Sequence, residues 1–164
     1  MKADKILLFE YLMYHLIEWY KNVVSNNQMQ NKHFSRLTAL KLLFFVSTIK
    51  DTENEERDLL DIFNNYCAMQ YGPVEIDIYT AIVSEKTKLY KFGVRELTNI
   101  SEDYTIFDSL NSNDKRRIDR AILLLKKRNS KIISYSASLL IDISHKWNAW
   151  QNAMSGRRLF RAAL

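Results

Sequence analysis

A mainly α fold, a compact single-domain helical bundle with a small antiparallel strand element, is what this sequence predicts. Three observations carry that reading. The 164 residues include one proline and three glycines, too few for a chain built on many tight turns. Apolar residues recur at spacings of three and four through most of the length, the period of a helix with one buried face. From Lys88 to Ile106 that period weakens, and short aromatic or β-branched runs take its place, as in strands or extended loop edges.

The first helix is expected from Asp4 to Val24. Leu8, Leu12, Leu16, Tyr20 and Val24, with Phe9, Met13, Ile17 and Val23, form a broad apolar stripe. Asp4 serves as its cap and Ser25-Asn26-Asn27 ends it. A polar connector rich in Asn and Gln runs from there to His33. Ser35 caps a second helix, whose body from Leu37 to Ile49 is apolar on almost every side, with Lys41 its one interior charge. This is the central helix, and Lys41 is expected to snorkel or to meet an acidic partner.

A third helix is expected after the acidic run Asp51 to Glu56, capped by Asn54 and presenting Leu59, Leu60, Phe63, Tyr66, Cys67 and Gln70. It stops at Tyr71-Gly72-Pro73-Val74, because glycine takes positive φ cheaply and proline both fixes its own φ and biases the preceding residue away from α. A fourth helix starts at that corner and runs from Val74 to about Glu85, with the Glu75 carboxylate in its first turn, where unpaired N–H groups favour negative charge. Leu89-Tyr90-Lys91-Phe92 and Tyr104-Thr105-Ile106-Phe107 form either a small antiparallel hairpin or extended loop edges. Asn113 or Ser112 caps a helix from Asp114 to Arg128 that buries Ile118, Ala121, Ile122 and Leu125. The last unit starts near Ser136 or Ser138 and carries Leu139, Leu140, Ile143, Trp147, Trp150 and Met154. The domain is expected to span residues 1–155, with 156–164 a short basic tail, frayed unless it docks.

Composition excludes several classes of function. A lone cysteine, Cys67, allows no intramolecular disulfide, and in an apolar helical pattern it reads as a core residue. The apolar stretch after Lys5 is broken by Glu10, His15 and Glu18, so neither a leader nor a membrane span is expected, and the expected compartment is the cytoplasm. His15, His33 and His145 lack the spacing of metal ligands, no glycine-rich phosphate loop exists, and the carboxylates from Glu53 to Asp61 lack a calcium loop's glycine. No catalytic residue, metal or cofactor is therefore expected, and the protein is read as not an enzyme.

Charge is unevenly placed. Residues 1–110 carry 12 basic and 16 acidic side chains, whereas residues 111–164 carry 12 basic and 3 acidic. Lys115, Arg116, Arg117, Arg120, Lys126, Lys127, Arg128 and Lys131 form a basic face suited either to phosphate contacts or to an acidic protein surface. The same helix has a buried apolar face and no convincing recognition-helix pattern. A nucleic-acid-associated regulator is thus the alternative to a protein-binding module.

Three strings then coincide with a known pattern. Ala68-Met69-Gln70-Tyr71-Gly72-Pro73-Val74 followed by Ile78-Tyr79, the upstream Lys41-Leu42-Leu43-Phe44-Phe45, and Ser144-His145-Lys146 followed by Trp150 occur in the order of the Panacea domain family of SocA-like antitoxins. The sequence resembles that family over roughly residues 35–155. The resemblance implies a mainly helical domain with a small strand element, found in bacteria, phages and prophages, that neutralises a toxin encoded nearby, in one branch by delivering it to a protease. It implies a protein partner and no catalysis, with Lys41, Tyr71, Gly72, Pro73, Val74, Tyr79, His145 and Trp150 as framework or partner-groove residues. An interaction protein of phage or prophage without a toxin is a further alternative.

Overall fold

A computed structural model describes residues 2–24, 30–50, 58–146 and 158–159. Helix α1, Lys2–Val23, begins before Asp4, so that carboxylate lies in the first turn instead of capping it. Its stripe is buried through Tyr20, with Phe9, Leu12, Met13 and Leu16 wholly enclosed, but its last members depart from the expectation: Val23 is exposed and Val24 half-buried, because the helix ends there and runs past the core. Of the polar connector, Gln30–His33 forms a single helical turn, α2. The His33 ring stacks on Tyr20 at 4.3 Å and its Nε2 lies 2.6 Å from the Ile133 carbonyl. Helix α3, Arg36–Thr48, is capped by Ser35, whose hydroxyl accepts from the Thr38 N–H. Nine of its 13 residues are buried, which makes it the central helix.

The third helix of the sequence reading does not form. Leu59 to Ile62 make a turn, and Tyr66–Met69 is a strand, β1, paired antiparallel with β2, Gly72–Glu75. Asn64 and Asn65 break the helical spacing: the Asn65 N–H donates to the Glu75 carboxylate at 3.0 Å and its carbonyl accepts from Ile76 N–H. Asparagine offers the backbone such alternatives to a helix, and Tyr66 and Cys67 suit a half-buried strand. Cys67 is accordingly a half-buried strand residue, not part of a helical core. The cap and acidic start expected at 51–57 lie outside the described residues.

Gly72-Pro73 therefore sits in a β-hairpin, not between two helices. Gln70 and Tyr71 turn the chain without positive φ, and Gly72 takes it instead, at 101°. Pro73 is tolerated because β2 is an edge strand in the order β2-β1-β5. The fourth helix of the reading is shortened to α4, Ile76–Val83. Glu75 is its cap, accepting from the Ile78 N–H at 3.1 Å.

Strands β3, Tyr90–Phe92, and β4, Leu97–Asn99, form the small hairpin. The second strand expected there is a 3₁₀ turn, Tyr104–Ser109, because the Asp103 carboxylate captures both the N–H and the hydroxyl of Thr105. Helix α5, Ser112–Arg128, is capped by Asn111, one residue before Ser112 and two before Asn113, the two expected caps. It buries Ile118, Ala121, Ile122 and Leu125 as read. Ser136 caps α6, Ala137–His145, which buries Leu140 but leaves Leu139 exposed. From the expected tail, Arg158–Leu159 forms β5 and docks on β1. Trp147, Trp150 and Met154 lie outside the described residues. Among the described residues, no helix is long and apolar enough to cross a membrane.

Candidate partner-binding site

The site begins at Lys41, in the middle of α3 and wholly buried. Its Nζ donates to the Pro73 carbonyl at 3.0 Å. The expectation that it would snorkel or meet a carboxylate is corrected: among the described residues a main-chain oxygen holds it and no acid does. An edge strand leaves carbonyls without ladder partners, and this one is met from below by an amine. Burial pushes the Lys41 amine down to about 7 from 10.5, because a low-dielectric site disfavours the charged form.

Gly72 lies at the same point. A Cβ there would come within 2.5 Å of the Ser144 Oγ on α6 and 3.0 Å of the Lys41 Nζ. The hairpin can approach α3 and α6 this closely only because residue 72 has no side chain. Ser144, buried, donates to the Ile141 carbonyl at 2.8 Å, and His145 follows it as the last residue of α6, half-buried. The fold thus gathers three strings far apart in sequence: Lys41 from α3, Gly72-Pro73 from β2, and Ser144-His145 from α6. Lys41 with its carbonyl acceptor and Ser144 with its own form a buried clasp, not an exposed reaction centre.

The outer side of the same hairpin is open. Met69, Tyr71 and Tyr79 are 47%, 51% and 40% exposed. With Leu37, Leu40 and Val74 they line a groove of about 400 Å³, whose lining Arg36, Gln70 and Val94 complete. Tyr71, Val74 and Tyr79 were expected in such a groove. Met69, Arg36, Leu37 and Val94 were not, since only the unforeseen β1–β2 hairpin and the docking of the β3–β4 hairpin on α3 bring them together.

The basic face is divided among local tasks. Arg117 clasps Asp61 at 2.6 Å and the Asp58 carbonyl at 2.7 Å, Lys115 donates to the Phe107 carbonyl at 3.3 Å, and Arg128 donates to the Lys50 carbonyl. Lys126 lies 5.4 Å over the Trp19 ring, and Arg116 donates to Asn113. Arg120 is half-buried, while Lys127 and Lys131 project from the surface. The histidines stay apart from one another: His15 faces Asp119 at 3.7 Å, beside Tyr11, His33 is held by Tyr20 and Ile133, and His145 ends α6.

A second buried charge cluster has no counterpart in the sequence reading. The Lys5 ammonium meets Glu75 at 2.5 Å, Asp77 at 2.7 Å and the Asn64 side-chain oxygen at 2.9 Å. It ties α1 to the start of α4. Glu10, also buried, accepts from the N–H groups of Lys88 and Leu89, and burial raises its carboxyl above the usual range.

These features define a mainly α domain whose three motif strings close on one buried point beneath an apolar groove. The chain matches the family described as antitoxin SocA-like, Panacea domain, over residues 40–151, and it belongs to that family. The matched stretch runs from α3 through α6 and so contains Lys41, the β1–β2 hairpin and Ser144-His145. No curated protein and no solved structure matches the chain.

Proposed function

We propose that this chain is an antitoxin-like protein-interaction module, acting in the cytoplasm without catalysis of its own, that binds and neutralises a toxin encoded nearby. The observation that carries the reading is the groove beside the β1–β2 turn, where three large apolar or aromatic side chains, Met69, Tyr71 and Tyr79, are exposed side by side. Exposed aromatic and methionine side chains around a depression are what a protein partner anchors on. The buried clasp of Lys41, Gly72, Pro73 and Ser144 is the framework that holds this groove in shape.

Co-expression with the product of the adjacent coding sequence tests the proposal. Rescue of growth and co-purification of the two products are expected, and both should be lost in Tyr71→Asp while circular dichroism stays unchanged. Rescue that persists in Tyr71→Asp would remove the groove from the function. The amount of the partner separates two modes of neutralisation: a steady level during rescue means direct inhibition, and a falling level that a protease-deficient host restores means delivery to a protease.

A further inference from the structure

The groove has a chemical asymmetry that specifies its occupant. Among the described residues that line it, Arg36 carries the one charge, and no carboxylate faces it from the lining. Arg36 opens α3, where its own N–H donates to the Gly93 carbonyl at 2.8 Å and its Nε to the Phe92 carbonyl at 3.3 Å. The first bond fixes the start of α3 against the β3–β4 hairpin, and the second holds the guanidinium beside it. A guanidinium offers five N–H donors in a rigid fork, and the rest of this fork has no acceptor among the described residues. Arg95 and Glu96, at the tip of the same hairpin, are exposed and opposite in sign, so they offset each other and leave Arg36 to set the charge of the groove.

We infer that the groove takes an acidic-apolar segment of the partner protein, with apolar side chains against Leu37, Leu40, Tyr71 and Tyr79 and one carboxylate on the Arg36 guanidinium. The inference rests on the reading of the chain as a protein-interaction module and adds the chemistry of what is bound. A carboxylate is the planar acceptor that matches the arginine fork in two parallel hydrogen bonds. The anchored Nε leaves little side-chain entropy to lose on binding, so the contact selects strongly for its length. An apolar groove alone would accept many hydrophobic segments. One immobilised cation rejects those that bring a second cation or no anion, because a desolvated charge left without a partner is costly.

Selection of a random linear-peptide library on the full-length chain tests this without knowledge of the toxin. Enriched peptides should place Asp or Glu among apolar residues. In fluorescence-anisotropy titrations of one such peptide, changing its carboxylate to the amide should weaken binding to the unaltered chain by about tenfold. The same change should have no effect on Arg36→Gln, and Arg36→Glu should select basic-apolar peptides instead. The peptide-side change requires no protein variant, so the test survives if Arg36 variants fail to fold. Apolar peptides without charge preference, an affinity indifferent to the carboxylate, or no enrichment at all would overturn the inference. So would self-association of the chain that Tyr71→Asp abolishes, since the occupant would then be a second copy. Rescue by Arg36→Glu with undiminished partner affinity would end this inference and leave the antitoxin reading standing. Arg36-dependent peptide binding without rescue by the chain would do the reverse.

Discussion

At Gly72 two constraints act on one residue. Its φ of 101° lies where side-chain-bearing residues are strained, and an added Cβ would press on Ser144 and Lys41 at 2.5 and 3.0 Å. Strain and overpacking each cost on the order of 1–3 kcal/mol. Gly72→Ala is therefore expected to destabilise the domain by about 3 kcal/mol, measured as a fall in the urea midpoint. Adding Ser144→Ala removes the nearer contact but not the φ, so it should restore only part of the loss; full restoration would show that backbone conformation contributes nothing. Lys41 supplies a second prediction. The unfolded chain keeps the Lys41 proton up to about 10.5 and the folded chain only up to about 7. Between those values the unfolded state binds more protons, so stability is lowest below that window and rises with pH across it, by at most about 1.4 kcal/mol per pH unit. His15 and His33, held low by burial, add their own rise at more acidic pH, and the buried hydroxyls of Tyr66 and Tyr90 oppose it only under strongly alkaline conditions. Urea melts between about pH 7 and pH 9.5 isolate the lysine. Lys41→Met should flatten the rise, and an unchanged slope would assign it to another group.

At the scale of elements, the hairpin and α4 are joined by one carboxylate. Glu75 ends β2, caps α4 through the Ile78 N–H, accepts from the Asn65 N–H and pairs with Lys5. Losing one partner of a buried ion pair costs about 3–5 kcal/mol, because the other charge is left uncompensated. Glu75→Ala should fall near the lower figure, since Asp77 still reaches Lys5 at 2.7 Å. The double variant with Lys5→Met should be less destabilised than the sum of the two, and strict additivity would mean that the pair does not act as a unit. This junction also shows what the sequence could convey. The spacing of α1, α3 and α5 exposed their buried faces, because a long run samples the helical period many times. The run from Leu59 to Gln70 held too few repeats to separate a helix from a turn followed by a strand, and Asn64-Asn65 was the break that mattered. Gly72 revealed positive φ but not whether the turn joined helices or strands, since either reversal uses glycine. The groove shares that fate. Tyr71, Val74 and Tyr79 came from one contiguous string, whereas Arg36 and Val94 joined them only because the β3–β4 hairpin docks on the start of α3, a contact across more than fifty residues that no local pattern encodes.

For the whole molecule, the uneven charge acquires a different meaning once the chain is folded. Within the basic third, α5 lies on α1 and α3. Its cations reach back across the sequence: Arg117 to Asp58 and Asp61, Arg128 to the Lys50 carbonyl, Lys126 to the face of Trp19. Much of the basic stripe is thus an internal fastening, and a phosphate backbone would have to compete with it. Lys127 and Lys131 remain outward, and so few phosphate contacts give a shallow salt dependence. Duplex DNA and single-stranded RNA are therefore expected to bind no tighter than ordinary non-specific association, about 10⁻⁴ to 10⁻⁶ M at physiological salt. Fluorescence anisotropy with labelled oligonucleotides measures this directly. Nanomolar binding with a steep salt slope, lost in Lys127→Glu with Lys131→Glu, would return the chain to the nucleic-acid reading. The same pair of substitutions should leave partner affinity nearly unchanged, because neither lysine lines the groove. Arg117→Ala differs from both: its guanidinium is 12% exposed and bidentate on Asp61, so it should lower stability by about 1–3 kcal/mol without altering any binding curve.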